Sequence, residues 1–357
     1  MRALKSILIG AMAAVSLAAC ASGDPGEDVV PPAAVGQTCT DVDLSTPPSS
    51  PVNIRIGHGV AAEEPFWLLA SDDEVSQYDG SWYTLETAQF RGTAERLTAY
   101  QAGDLDAVLV SPQVQITGIA RGALNLYTIA TVMREGEPGA FSSTAISLEG
   151  SGITSPADMK DKTIAIIDEN SHLDFLARQG LRSAGLDPST DAQFVVLPFP
   201  SQEEALRSGQ IDVAIIPEPF YTVANTTGGV TKIFDASDLT DFSYDLLTAS
   251  FDRDFVENNV GVVCAWASDF AAAMDSYRAD VTSAKEILLG TDFVTLPAPI
   301  YQASGDYARP AGGVVDLEGT AKMMDIMIEF GILNESDRVD TAELVRPGIT
   351  LGTPGAP

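Results

Sequence analysis

Apolar positions in this chain alternate between two patterns: short runs of β-branched and aliphatic residues, and longer stretches with apolar residues three and four apart. The segments Leu97–Pro112, LTAYQAGDLDAVLVSP, and Ala205–Pro219, ALRSGQIDVAIIPEP, show this alternation twice. In each, an amphipathic helix ends on a glycine, a turn places an aspartate and an apolar strand follows. The shared core Gly103-Asp104-Leu105-Asp106-Ala107 returns as Gly209-Gln210-Ile211-Asp212-Val213. Upstream, the strand Val52–Ile56 with its loop Gly57-His58-Gly59 corresponds to Thr163–Ile167 with its loop Asp168-Glu169-Asn170. Second strands are expected at Tyr83–Phe90 and Gln193–Phe199. Each half therefore reads β-α-β-α-β, which predicts an α/β protein of two lobes, each a mainly parallel sheet flanked by helices. Ligands of open α/β sheets sit beyond the carboxyl ends of the strands. The loops beginning at His58, Ser111, Asp168 and Pro217 are thus expected to face a cleft between the lobes.

The ends of the chain lack this periodicity. Arg2 and Lys5 precede an apolar stretch, Ile7–Ala19, which reads as a signal peptide over residues 1–19. It ends in Leu17-Ala18-Ala19-Cys20, a register that resembles the lipobox of bacterial lipoproteins and predicts lipid on Cys20. Residues 20–50, rich in Pro, Ser, Gly, Ala and Asp, read as a flexible tether, and 346–357 as a Pro/Gly-rich tail. No later segment has the roughly 18 apolar residues of a membrane-spanning helix. The net charge of -30 should repel nucleic acid at long range. Of three cysteines, Cys39 and Cys264 remain after Cys20 and are expected to pair in an oxidising compartment, the alternative being two free thiols.

Several segments together resemble the periplasmic binding proteins for nitrate, sulfonate, taurine and thiamine-precursor pyrimidines. They are Gly57-His58-Gly59, the helix-Gly-x-Leu-Asp-x-x-x-x-Ser-Pro stretch to Pro112, Gly152–Ala165, Gly209–Phe220 and Ile328–Leu333. The resemblance implies a type 2 periplasmic binding protein fold whose chain crosses twice between lobes. Residues 51–133 and 248–345 would form lobe one, and 140–244 lobe two, with crossings near 133–142 and 241–250. It also implies a monomeric, extracytoplasmic receptor for a small-molecule solute, partnered by the permease and ATPase subunits of an ABC-type importer and held to the membrane by its lipid. The alternatives are a solute sensor or lipoprotein adaptor for signalling, or an enzyme on the same fold. Enzyme motifs are absent: there is no His-Glu-x-x-His, Gly-x-Ser-x-Gly, Gly-x-x-x-x-Gly-Lys or Cys-x-x-Cys. With His58 and His172 as the only histidines, a histidine metal cluster is excluded, and no cofactor or metal is expected.

Ligand contacts are expected where strands give way to helices. Ser111 and Ser171 sit at helix N-termini, whose free amides and positive dipole end suit an acidic group; Gln113, Asn170 and His172 lie beside them. His58 ends the first strand, and Phe66 and Trp67 open the next helix, where an aromatic ring could stack on a ligand. Pro217-Glu218-Pro219-Phe220 places Glu218 and Phe220 at the cleft, with Glu218 as receiver of an ammonium or ring amine. The resembled family has Gly-Ser-Thr-x-His-Tyr where this chain has Glu169-Asn170-Ser171-His172-Leu173-Asp174-Phe175, which brings in acids. With no basic residue found beside these acids, the reading favours a two-ended ligand, an aminosulfonate or aminopyrimidine, over a bare anion. Glu218→Gln is then expected to weaken a cationic ligand about ten- to a hundredfold.

Overall fold

In the computed structural model, which describes residues 36–357, the two halves of the repeat build two separate five-stranded sheets. The first sheet contains β1 (Val52–His58), β2 (Tyr83–Gln89), β3 (Ala107–Val110) and β4 (Leu126–Glu135). The second contains β5 (Thr144–Leu148), β6 (Lys162–Ile166), β7 (Ala192–Val196), β8 (Val213–Ile216) and β9 (Val230–Asp235). The chain then returns, and β10 (Tyr244–Asp252) inserts between β3 and β4 of the first sheet. The orders are β2-β1-β3-β10-β4 and β7-β6-β8-β5-β9, the same topology twice. Helices α1 (Glu64–Leu69), α2 (Thr93–Gln101) and α3 (Pro112–Ala120) follow the first three strands. Helices α4 (His172–Ser183), α5 (Phe199–Arg207) and α6 (Phe220–Thr227) follow β6, β7 and β8. After β10 come α7 (Arg253–Asn258), α8 (Val260–Ala279), α9 (Val281–Leu288), α10 (Ala298–Ala303) and α11 (Leu317–Glu329). This is the two-lobed type 2 binding-protein fold.

The sheets are mixed, where the sequence suggested mainly parallel ones. β1 pairs in parallel with β2 and β3, but β10 is antiparallel to β3 and β4; β6 pairs in parallel with β7 and β8, but β5 is antiparallel to β8 and β9. The antiparallel strand in each sheet is the one that leaves a crossing and so arrives from the other lobe. The crossings run between Glu135 and Thr144 and between Asp235 and Tyr244, so the first sheet regains the chain earlier than the expected 248. The second strand of lobe two is also shorter than expected, because Phe199 opens α5.

Alternation along the strands builds the cores. Ile164 and Ile166 of β6, with Val213 and Ile215 of β8, pack on one face beneath Leu173, Leu176 and Leu181 of α4. Ala165, Ala214 and Ile216 face the other way, toward Leu206 and Ile211. Successive strand side chains point to opposite faces, so a double-sided apolar strand serves both helix layers. The larger core of lobe one collects Ile54, Ile56, Phe66, Phe251, Trp266 and Phe270 around α8. Fully burying one such side chain is worth roughly 1.5–3 kcal/mol.

The repeated motif has a structural reason. Gly103 and Gly209, at φ 81° and 73°, let the chain turn left-handed as α2 and α5 end. Asp106 then accepts from the Arg55 N–H at 2.9 Å, and Asp212 from the Thr163 N–H at 2.8 Å. In both lobes the aspartate just before the third strand of the repeat ties it to the first strand of the repeat.

The tether and tail readings need correction in part. Cys39 is bridged to Cys264 of α8, and the Trp82 indole donates to the Leu44 carbonyl at 2.9 Å, so the chain from Cys39 to Leu44 is strapped to lobe one. Ile349 and Leu351 are buried in the lobe-one core, Leu351 N–H donates to Ile129 O at 2.8 Å, and Cys39 N–H donates to Gly348 O at 2.8 Å. The proline and glycine content hid the apolar alternation Ile349-Thr350-Leu351. The signal peptide over 1–19, Cys20 and the tether up to residue 35 lie outside the described residues. Among the described residues, no helix is long and apolar enough to cross a membrane.

The bridge spans a sequence separation of 225 residues and pins the N-terminal strap to a fully buried helix position. Cys39→Ala, or reduction, should lower stability by about 2–5 kcal/mol. Denaturant unfolding with and without reductant measures this, and equal midpoints would show that the strap is held without the bridge.

Candidate functional site

The strand ends of the two sheets meet across a cleft of about 700 Å³, including its open mouth. Lobe one contributes the loops after β1 and β2, the start of α2, Ser111 after β3, Met133 of β4, and Leu246 and Leu247 of β10. Lobe two contributes Ile167, Ser171, His172 and Leu173 around the start of α4, with Phe199 and Pro217 after its next two strands. Ser143, beside the first crossing, and Tyr307, from the loop after α10, complete the wall. The lining is mostly apolar, with a few polar groups at fixed positions, as in small-molecule sites generally.

The central polar group is Arg96, which the sequence reading did not pick out. It is 5% exposed, lies on α2 and lines the cleft, and its Nε and Nη1 have no hydrogen-bond partner. Its nearest acid is Glu63, at 3.7 Å from Nη1, and the Glu63 carboxylate already accepts from Gly59 N–H at 2.9 and 3.0 Å. Burial pushes the Arg96 guanidinium below its ordinary value, while Glu63 and Asp168 pull it back up. A buried cation with donors to spare needs an acceptor.

A second polar group stands opposite. The Gln113 amide lies 3.3 Å from His172 Nδ1, joining α3 of lobe one to α4 of lobe two. His172 Nε2 has no hydrogen-bond partner and lies 3.5 Å from Glu135, itself fully buried and accepting from the Ser143 N–H at 3.1 Å. Ser143 Oγ and the Tyr307 hydroxyl are 3.0 Å apart, and burial pushes that phenol above its ordinary value. Ser171 caps α4, accepting from Asp174 N–H at 3.2 Å, and Ser111 caps α3, accepting from Val114 N–H at 3.4 Å. The Asp174 side chain reaches back and accepts from the Asn170 N–H at 2.8 Å.

Of the residues expected at the site, Ser111, Ser171 and His172 line the cavity, and Gln113 supports His172 from behind. Asn170, at φ 60°, lies in the neighbouring groove between the lobes. His58 is buried between Phe66 and Phe293, with ring centroids at 5.5 and 5.3 Å, and Trp67 stacks on Phe293. These three expected contacts belong to lobe one's interior, since α1 is buried along its whole length. Phe220 packs on Phe199 at 5.2 Å and so lies behind the wall.

Glu218 also misses the cavity. Its carboxylate is 3% exposed and accepts from Gly305 N–H at 2.9 Å, Thr222 N–H at 3.2 Å and Thr222 Oγ1 at 2.9 Å. It therefore joins lobe two to the loop after α10, and the two-ended ligand loses its cation receiver. Arg96 had a readable signal: it stands four residues before Tyr100 on the inward stripe of α2, where a charge is out of place. Glu63 and Tyr307 carry no comparable pattern.

Burial raises the Glu218 carboxyl above its ordinary value, against the lowering by its three hydrogen bonds. The folded protein therefore holds this proton more tightly than the unfolded chain. Stability is greater below the ordinary glutamate value and declines as pH rises through the raised one. Glu218→Gln keeps an oxygen acceptor for Gly305 and should flatten that decline while leaving ligand affinity within about threefold, well below the effect of losing a charged contact. Unfolding midpoints against pH, with calorimetry, check both parts; a tenfold loss of affinity would return Glu218 to the ligand.

Comparison with known proteins fits this fold. The sequence profile of the NMT1-like family matches residues 48–287. A protein of Escherichia coli (strain K12) described as aliphatic sulfonates-binding is 27% identical over 267 residues, covering 73% of this chain and 78% of that protein. The alkanesulfonate-binding protein of Xanthomonas axonopodis pv. citri, solved bound to MOPS, superposes with a TM-score of 0.68 at 19% identity, covering 84% of this chain and 99% of the other. The periplasmic nitrate-binding protein of Synechocystis PCC 6803 superposes with a TM-score of 0.64 at 12% identity, covering 82% and 84%.

Proposed function

Because the chain belongs to the NMT1-like family, we propose that it is an exported solute-binding protein of an ABC-type importer, and not an enzyme, whose ligand is a small organic monoanion with an apolar body, of the sulfonate type. The observation that carries the ligand class is Arg96: a buried guanidinium with unpartnered donors, set in an apolar cavity. The starts of α3 and α4 add amide dipoles of the same sign, and Tyr307 and His172 add further hydrogen-bonding groups. Leu246, Leu247, Met133, Ile167 and Phe199 supply the wall for an alkyl or aryl body. A sulfonate, with three acceptor oxygens, can meet several donors at once, whereas nitrate would leave the apolar wall unused. The relatives named for sulfonates support the same choice. The protein acts as a monomer, closes its lobes around the solute and delivers it to permease and ATPase subunits. Lipid on Cys20 holds it at the outer face of the membrane.

Calorimetry with linear alkanesulfonates, nitrate and an aminopyrimidine tests this reading. Affinity should rise along the alkanesulfonate series by about 0.8 kcal/mol per buried methylene until the cavity is filled. Tight binding of nitrate or the aminopyrimidine, with none of the sulfonates, would overturn it. Arg96→Gln should weaken the best sulfonate about ten- to a hundredfold, the worth of a hydrogen bond to a charged group, with thermal unfolding confirming the fold. For the anchor, Cys20→Ala should abolish labelling by palmitate and release the protein from membranes; unchanged labelling would remove lipid from the assignment.

A further inference from the structure

Helix α2, which carries Arg96, begins without a cap of its own. Its N-cap residue is Gly92, which has no side chain to receive the first amides. The acceptor comes from the other lobe: Asp168, in the loop after β6, accepts from the Thr93 N–H at 2.6 Å. Thr93 and Ala94 amides and the Arg96 charge all favour the ionised carboxylate, against the burial that raises it. The approach is close on both sides. A Cβ placed on Gly92 would lie 2.9 Å from Asp168 Oδ2, and Gly92 sits at φ -148°, extended backbone open to any residue. The glycine is therefore needed for the proximity of the lobes and not for its conformation.

We propose that Asp168 is a positioning residue for ligand retention, capping α2 from the opposite lobe and so holding Arg96 in place against the anion when the lobes are together. The assignment rests on the ligand reading given above, but its structural half stands apart from it. When the lobes part, the first amides of α2 lose their acceptor, and the helix bearing Arg96 frays at the end nearest the ligand. Asp168 thus links the state of the cleft to the order of the binding arginine. It acts on release more than on capture, because the contact exists only once the lobes have met.

The experiment compares the mature protein with Asp168→Ala, Asp168→Asn and Gly92→Ala, using 1-butanesulfonate in stopped-flow binding and hydrogen exchange of peptides spanning residues 90–97. Asp168→Ala should raise the dissociation rate about tenfold and leave the association rate within about threefold. It should also speed exchange at the start of α2. Asp168→Asn retains an oxygen acceptor and should recover most of both effects, and Gly92→Ala, pushing from the other side, should reproduce the alanine variant. A dissociation rate unchanged by Asp168→Ala overturns the proposal, even with faster exchange, since the cap would then be structural only. Should the parent fail to bind the sulfonate, the ligand reading falls and exchange alone decides: faster exchange in Asp168→Ala upholds the trans cap, and unchanged exchange removes it.

Discussion

The arrangement of the molecule depends on one constraint: in each sheet an interior strand is supplied by chain that has just come across from the other lobe. β10 lies between β3 and β4, and β5 between β8 and β9. An interior strand has ladder partners on both sides, so neither crossing can shift without breaking hydrogen bonds in a core. The hinge is therefore anchored at both ends in rigid structure. The cleft inherits that rigidity, because Leu246 and Leu247 of β10 form part of its wall. Loops then add the polar groups to a fixed apolar base.

Charge is distributed against the overall balance. The chain carries a net charge of -30, yet the group that faces the cavity with open donors is a cation. Exposed charges beyond about 10 Å are screened at ordinary ionic strength, whereas a buried arginine is screened far less. The local field of Arg96 and the two helix starts can thus govern what binds, while the acidic exterior governs solubility. Glu63 keeps the cation from standing alone in the apolar interior.

The fold was legible in the sequence because the repeat encodes it physically: glycine ends the helix, aspartate ties two strands together, and β-branched residues fill the strand. The site was legible only where position alone decides. Ser111, Ser171 and His172 follow strand ends, and that suffices to bring them to the cleft. Glu218 follows a strand end as well, but its carboxylate turns to a backbone amide of a loop nearly ninety residues later, a partner no local pattern announces. Arg96 was hidden for the opposite reason: charged residues on amphipathic helices ordinarily face water, and only the stripe it shares with Tyr100 marks it as buried. His58, Phe66 and Trp67 were placed at the right strand end and helix, but aromatic residues there fill lobe one's interior. Neither the strap around Cys39 nor the buried Ile349 and Leu351 could be separated by composition from solvated ends.

The Cys39–Cys264 bridge joins chain on either side of everything that builds lobe two. All strands of the second sheet lie in one continuous stretch, whereas the first sheet lacks an interior strand until β10 has emerged. A chain appearing from its N-terminus can therefore complete the second lobe while the first is still unfinished, and domains generally fold as units in order of appearance. Lobe two becomes an early, self-contained body held as an excursion between two waiting halves, and lobe one closes last. The disulfide, which needs both Cys39 and α8 in place, can then form only after all of lobe two has emerged.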